Sequence, residues 1–181
     1  MPSKRPTSQK KHAKGEGDDF QTPEYAVKPL LDYISYHWTI WEPACGKGNI
    51  VRFFKNWGYK CRGTDILEGR DFLTWEPGRY DCIVTNPPYS LKNEFIARCF
   101  ELGKPFALLL PYTALETPER QAYYKTHDIQ LIFMDTRVKF ETPSGEGSGS
   151  WFPVMWLTWG MGLPKQLNWA EIDKPNKRKR K

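Results

Sequence analysis

No apolar run in this chain approaches the ~18 residues of a membrane span, and its N-terminus has no apolar signal core. The four cysteines, at positions 45, 61, 82 and 99, include no pair with metal-ligand spacing. Each lies in an apolar or strand-like context, which points to buried free thiols in a reducing compartment and to no metal. No Gly-Lys-Ser/Thr is present, so there is no phosphate loop, and no turn completes the dinucleotide fingerprint. Residues 1–14 and 174–181 contain no acid at all. The expectation is a cytoplasmic protein, encoded by a bacterium or phage, or a nuclear one in a host that has a nucleus.

The missing acids make the overall charge misleading. The 181 residues carry a formal +6, but eleven of the 27 Lys and Arg lie in those two ends. Residues 15–173 hold the other 16 against all 21 acids, a net of −5. The folded part is mildly acidic and its ends are basic. Basic ends suit phosphates held without regard to sequence, and they equally suit solubility; the run Lys177-Arg178-Lys179-Arg180-Lys181 favours nucleic-acid contact or nuclear import. Aromatics make up 15% of the chain, with eight Trp, enough for a core and for flat ligands besides.

Hydrophobic patterning predicts a single domain over 18–163, between a flexible basic arm (1–17) and a basic tail (164–181). Thr22-Pro23-Glu24 opens a helix that runs to Ile34, and a short strand follows at Trp38–Trp41. A helix over about 49–57 precedes a strand at Tyr59–Thr64. Strands at 80–85, 106–110, 129–134 and 152–157 follow, with helices at Leu91–Leu102 and near Pro118–Tyr124 and a Gly/Ser loop at 144–150. Strands alternating with helices, then two strands with none between, predict an α/β fold. Its sheet is mostly parallel, with an antiparallel strand near one edge.

Two strand ends carry the chemistry. After the first strand comes Glu42-Pro43-Ala44-Cys45-Gly46-Lys47-Gly48, where two glycines let backbone approach a ligand and a helix follows. Alone, such a turn is often just a tight connection. Asp65, seventeen residues past Gly48 at the end of the next strand, is placed to accept from both hydroxyls of a ribose. Asp71 and Phe72 offer an acceptor for an adenine amine and a ring to cover it, or else a turn cap and a core residue. After the strand 80–85 comes Asn86-Pro87-Pro88-Tyr89. Its prolines end the strand, leaving an amide, a carbonyl and an aromatic ring at the ligand-binding end of the sheet. That set suits a planar base with an exocyclic amine. Cys45 sits in the glycine turn rather than after a proline on the second loop, so it is not placed as a nucleophile for cytosine C5. Tyr112, Arg120 and Tyr123-Tyr124 either contact nucleic acid or form a solvated helix face, and Trp151 and Trp156 are expected in the core.

Together these motifs resemble the S-adenosylmethionine-dependent N6-adenine DNA methyltransferases, most of all the small phage-type ones. The glycine turn resembles their cofactor motif and Asn86–Tyr89 their catalytic motif. Phe20-Gln21-Thr22-Pro23 resembles the upstream motif at the methionine end of the cofactor, and Arg137-Val138-Lys139-Phe140 the later one whose aromatic sits near the target base. The resemblance spans roughly residues 18–160 and implies a Rossmann-like class I methyltransferase. It implies S-adenosylmethionine held by Phe20, Thr22, Glu42, Pro43, Gly46, Gly48, Asp65, Asp71, Phe72 and Asn86. It implies catalysis by Asn86, Pro87, Pro88 and Tyr89, and a nucleic-acid substrate, DNA before RNA, met by Tyr89, Tyr112, Lys139 and Phe140. Such a base is flipped from its stack or already single-stranded. No separate target-recognition domain is evident. An RNA adenine methyltransferase and a non-catalytic nucleic-acid-binding module are the alternatives.

Overall fold

The structure, a computed structural model, describes residues 21–140 and 152–172. The expected arm, Phe20, the Gly/Ser loop, Trp151 and the 177–181 run lie outside the described residues. Seven strands form one sheet: β1 Thr39–Glu42, β2 Lys60–Gly63, β3 Cys82–Thr85, β4 Phe106–Pro111, β5 Gln130–Met134, β6 Val154–Trp159 and β7 Leu167–Ala170. The helices are α1 Glu24–Val27, α2 Asn49–Asn56, α3 Lys92–Leu102 and α4 Pro118–Thr126. The strand order is β2-β1-β3-β4-β6-β5-β7. Only β6 is reversed, pairing antiparallel with β4 and β5 while every other pair is parallel. This is the expected mostly parallel α/β sheet with its antiparallel strand near one edge.

Both faces of the sheet are covered. On one side Leu109, Ile132 and Trp156 pack with Val27, Leu30, Phe53 and Phe54 from α1, the turn after it, and α2. On the other side Leu108, Leu110, Met155 and Leu157 pack with Phe95, Ile96 and Cys99 of α3. Burial on both faces is why β4 reads as an unbroken apolar run rather than an alternating one. Buried indoles find partners: the Trp41 N–H donates to Thr64 Oγ1 at 2.8 Å and the Trp156 N–H to the Ala26 carbonyl at 2.7 Å. Trp156 is a core residue, as expected.

Two boundaries differ from expectation. The helix expected to reach Ile34 ends at Val27, and Lys28–Leu30 tighten into a 3-10 turn. Pro29 has no N–H to give, and its ring crowds the carbonyl one turn earlier. The apolar stripe is buried regardless, through Val27, Leu30 and Ile34. The basic tail expected from 164 starts later, because β7 lies within it. Backbone pairing to β5 and the Asn168 side chain, which donates to the carbonyls of Leu131 and Lys165, hold that strand. Ile172 beyond it is buried, its N–H bonded to Asp135 Oδ1 at 3.1 Å.

Arg120 is neither a nucleic-acid contact nor part of a solvated face. Only 4% exposed, it donates from Nε to the Ala114 carbonyl, from Nη1 to Asn93 Oδ1 and from Nη2 to the Thr113 carbonyl. It ties α4 to α3 and to the turn after β4. Tyr124 donates to the same Ala114 carbonyl, and Tyr123 stacks on Phe100 at 5.4 Å, so neither ring is free for a base. Arg120→Ala removes all three of these hydrogen bonds and leaves a cavity where the buried guanidinium lay, and is expected to lower unfolding stability by about 3 kcal/mol in urea denaturation. A loss below about 1 kcal/mol would contradict the staple.

Candidate functional site

The parallel order sets the carboxyl ends of β1, β2 and β3 side by side, and each end carries one of the singled-out motifs. The β1 turn is held from both flanks. The Thr64 N–H donates to the Glu42 carbonyl at 2.9 Å and the Cys45 N–H to the Thr64 carbonyl at 3.0 Å, which binds the turn to the end of β2. Asp65 spans the same gap: one carboxylate oxygen accepts from the Gly46 N–H at 2.9 Å and the other from the Leu67 N–H at 3.0 Å. On the other flank Gln21 Oε1 accepts from the Lys47 N–H at 3.1 Å. Gly46 and Gly48 adopt φ of 47° and 79°, a left-handed conformation that disfavours any side chain. The turn is thus fixed from both flanks, with Gln21 Nε2 2.7 Å from where a Cβ on Gly46 would stand. Gly63 matters for a different reason, since a Cβ there would meet Val51 Cγ2 at 2.9 Å.

Glu42 closes β1 with its carboxyl buried. Oε1 accepts from the Ala44 N–H at 3.2 Å, while Oε2 is buried with no partner besides the neighbouring Thr85 hydroxyl. Burial raises its pKa from 4.5 to about 8, partly offset by the neighbouring Thr85 hydroxyl and the Ala44 N–H and reinforced by Asp65. The Thr85 Oγ1 is buried beside it, and neither oxygen has a hydrogen-bond partner beyond the other. A buried carboxyl so sparsely bonded is rare in a folded chain and singles out this strand end as a candidate site. Cys45 is pushed up to about 11, by burial first and then by Glu42, Asp65 and Glu68, so it stays a neutral thiol.

Asn86-Pro87-Pro88-Tyr89 leaves β3 beside this turn. Asn86, Pro88 and Tyr89 are half-buried and Pro87 is buried. The Tyr89 ring is held edge-on by Phe152 at 5.5 Å, and its carbonyl accepts from Lys92 Nζ at 3.2 Å. Tyr112 follows β4 at the same end of the sheet, half-buried and edge-on to Phe133 at 5.4 Å, with burial raising its phenol pKa. Lys139 is exposed, its backbone clamped by Tyr25, whose hydroxyl accepts from the Lys139 N–H at 2.8 Å. Thr22 is buried, its carbonyl accepting from Asn49 Nδ2 at 3.4 Å. Pro43 is buried in the turn.

Of the two readings of Asp71 and Phe72 the structure has the turn cap and the core residue, and Phe140 is buried as well. Phe72, 2% exposed, lies in the core against Trp41 and Phe95, at 5.3 and 4.6 Å, and cannot cover a ligand ring. Asp71 caps its own turn, accepting from the Leu73 N–H at 2.9 Å. Phe140, 1% exposed, packs in the core with Val138 rather than beside a base. Composition near these aromatics is polar, but the chain turns their rings inward where the apolar faces need filling.

Other residues emerge only from the structure. Gln21 holds the glycine turn and is itself buried. Ile66 and Leu67, 62% and 72% exposed, stand directly after Asp65 where a ring bound to a ribose would lie. The available signal for both was two bulky aliphatics immediately following the strand-end acid. Among the described residues no three His, Cys, Asp or Glu are grouped to hold a metal ion.

No protein-family model and no curated protein matches the chain. Solved structures do. It resembles a protein from Vibrio vulnificus described as the modification subunit of a type I restriction enzyme (TM-score 0.51, 16% identity, 92% of this chain). It also resembles the methyltransferase subunit of a type I restriction-modification system from Streptococcus thermophilus (TM-score 0.53, 14% identity, 86% of this chain). The chain spans 49% of the length of each. A protein from Pyrococcus horikoshii described as an RNA methyltransferase matches over 82% of this chain and 88% of its own, at 12% identity and a TM-score of 0.50. The fold is therefore the Rossmann-like fold of methyltransferases.

The Glu42 carboxyl keeps its proton to about pH 8 in the folded chain and loses it near 4.5 in the unfolded one. The folded state binds more protons between those values, so this residue lowers stability progressively as pH rises through that window. Glu42→Gln is expected to gain stability over the parent, on the order of 3 kcal/mol at pH 8.5 and little at pH 4.5, in thermal unfolding without ligand. An equal gap at both pH values contradicts the buried, ligand-awaiting carboxyl.

Proposed function

We propose that this protein transfers the methyl group of S-adenosylmethionine to the N6 amine of adenine in nucleic acid, DNA before RNA. The observation that carries this is adjacency: β1 and β3 are hydrogen-bonded parallel neighbours, so the glycine turn and Asn86-Pro87-Pro88-Tyr89 open at the same end, one strand apart. The residues fit such a cofactor. The glycine turn, held in a left-handed conformation, lies directly after Glu42, whose buried carboxyl suits the ammonium of its amino-acid part. Asp65 retains lone pairs for ribose hydroxyls after its two backbone bonds, and Ile66 and Leu67 offer apolar cover for the purine.

When bound, the cofactor would supply an electrophilic sulfonium methyl, with neutral sulfur as the leaving group. The protein's task is at the nitrogen. Adenine N6 is a poor nucleophile because its lone pair is delocalised into the ring. The Asn86 side-chain oxygen and the Pro87 carbonyl each accept one N6–H bond, which favours a pyramidal nitrogen and localises that pair. The same acceptors stabilise positive charge as it develops, and the extra proton leaves to water after transfer. Pro87 and Pro88 stiffen the loop so that both acceptors stay aimed. Tyr89, braced by Phe152, stacks on the base. Tyr112 and Lys139 line the rim, Lys139 facing phosphate.

Expression in a host without adenine methylation, followed by nucleoside mass spectrometry of DNA and RNA, tests this. N6-methyladenine is expected in DNA, reduced about 100-fold or more by Asn86→Ala and only partly by Asn86→Asp, which keeps an acceptor. A mark confined to RNA moves the substrate to RNA; no mark in either refutes the enzyme.

A further inference from the structure

The strand β7 changes what lies beside the site. Because it pairs parallel with β5, it runs in the same direction as β1, β3 and β4 and delivers the chain to the ligand end of the sheet. There Trp169 is 71% exposed, the large apolar side chain most exposed after Leu67 among those described. It is not isolated. Register aligns Leu110, Met155, Phe133 and Trp169 across four neighbouring strands. The rings continue inward: Trp169 to Phe133 at 6.0 Å, and Phe133 to Tyr112 at 5.4 Å. A ladder of aromatics therefore runs from the end of β4, beside the Asn86 loop, to the outer edge. Trp169 lies four strand spacings from β3, on the order of 19 Å, a few nucleotides along a strand.

Charge at this corner is evenly mixed among the described residues. Arg137 and Lys139 are exposed beyond β5, and in sequence the stretch 171–181 that follows β7 holds six Lys or Arg against Glu171 and Asp173. The acids here are Asp135, which accepts from the Ile172 N–H, and Glu171. An exposed indole flanked by cations matches single-stranded nucleic acid, whose bases stack on aromatics while its phosphates meet Lys and Arg.

We infer that the Tyr112–Phe133–Trp169 row is a stacking track for single-stranded nucleic acid, with Trp169 holding a base a few nucleotides from the one being modified. This rests on the nucleic-acid substrate proposed above. The track is tolerant of sequence, because every base has a stacking face. It accounts for substrate being held by a chain whose folded part is net acidic.

The test is fluorescence anisotropy of the full chain with a labelled adenine-containing single-stranded 12-mer, in parallel with calorimetric titration of S-adenosylmethionine. Trp169→Ala is expected to weaken oligonucleotide binding about 5- to 100-fold. Trp169→Phe retains most of the affinity, and Trp57→Ala, an exposed tryptophan after α2, changes nothing. S-adenosylmethionine affinity is the same in all three. In turnover assays Trp169→Ala raises KM for the oligonucleotide and leaves kcat at saturation. Unchanged oligonucleotide affinity in Trp169→Ala, or no binding by the parent chain, overturns the track. So does a dimer, seen in sedimentation, that Trp169→Ala dissolves at unchanged affinity, since the free edge of β7 then serves a second copy. Trp169-dependent binding without methyl transfer keeps the track and removes the enzyme; transfer indifferent to Trp169 does the reverse.

Discussion

A carboxyl group buried at the end of β1 with no charged partner is the constraint around which this end of the molecule is built. Glu42 is held there by the Ala44 N–H and the Thr85 hydroxyl, and burial keeps it protonated to about pH 8. Such an arrangement costs stability at neutral pH and is retained only where it does something else. What surrounds it points one way. Asp65 and Gln21 hold the glycine turn from opposite flanks. The neighbouring strand end offers an amide and a carbonyl. In the proposed reaction the buried acid lies on the methyl donor's side and Asn86 on the acceptor's.

The backbone-driven features were legible in the residues. Glycines needing left-handed φ, prolines ending a strand and an acid capping the next strand all act through local geometry, which a chain carries in its own sequence. Asp65 and Asn86 are found where strand-end logic places them. The aromatics were less legible. Phe72 and Phe140 sit in polar surroundings, yet both rings turn into the core, and only the packing of the two sheet faces decides that. Arg120 was opaque for a similar reason, since its three acceptors come from α3 and from the turn after β4. β7 was hard to recognise because its alternation is inverted: Leu167 and Trp169 face outward while Asn168 is buried and hydrogen-bonded to the Leu131 and Lys165 carbonyls.

That last strand ties charge to topology. The folded portion is net acidic, and a polyanion would be poorly received by it. By running parallel to β5, β7 brings the exposed Trp169 to the end of the sheet where Asn86 opens. In the proposed track, stacking would take the place of a broad cationic face.

The most direct test of the central claim is calorimetric titration of the parent chain with S-adenosylmethionine at pH 7 in two buffers of different ionisation enthalpy. An ammonium meeting the Glu42 carboxyl must displace its proton, so one-site binding with release of about one proton is expected. The release is absent in Glu42→Gln. Absence of binding, or binding in which no proton moves in the parent chain, contradicts the placement of the methyl donor at this carboxyl.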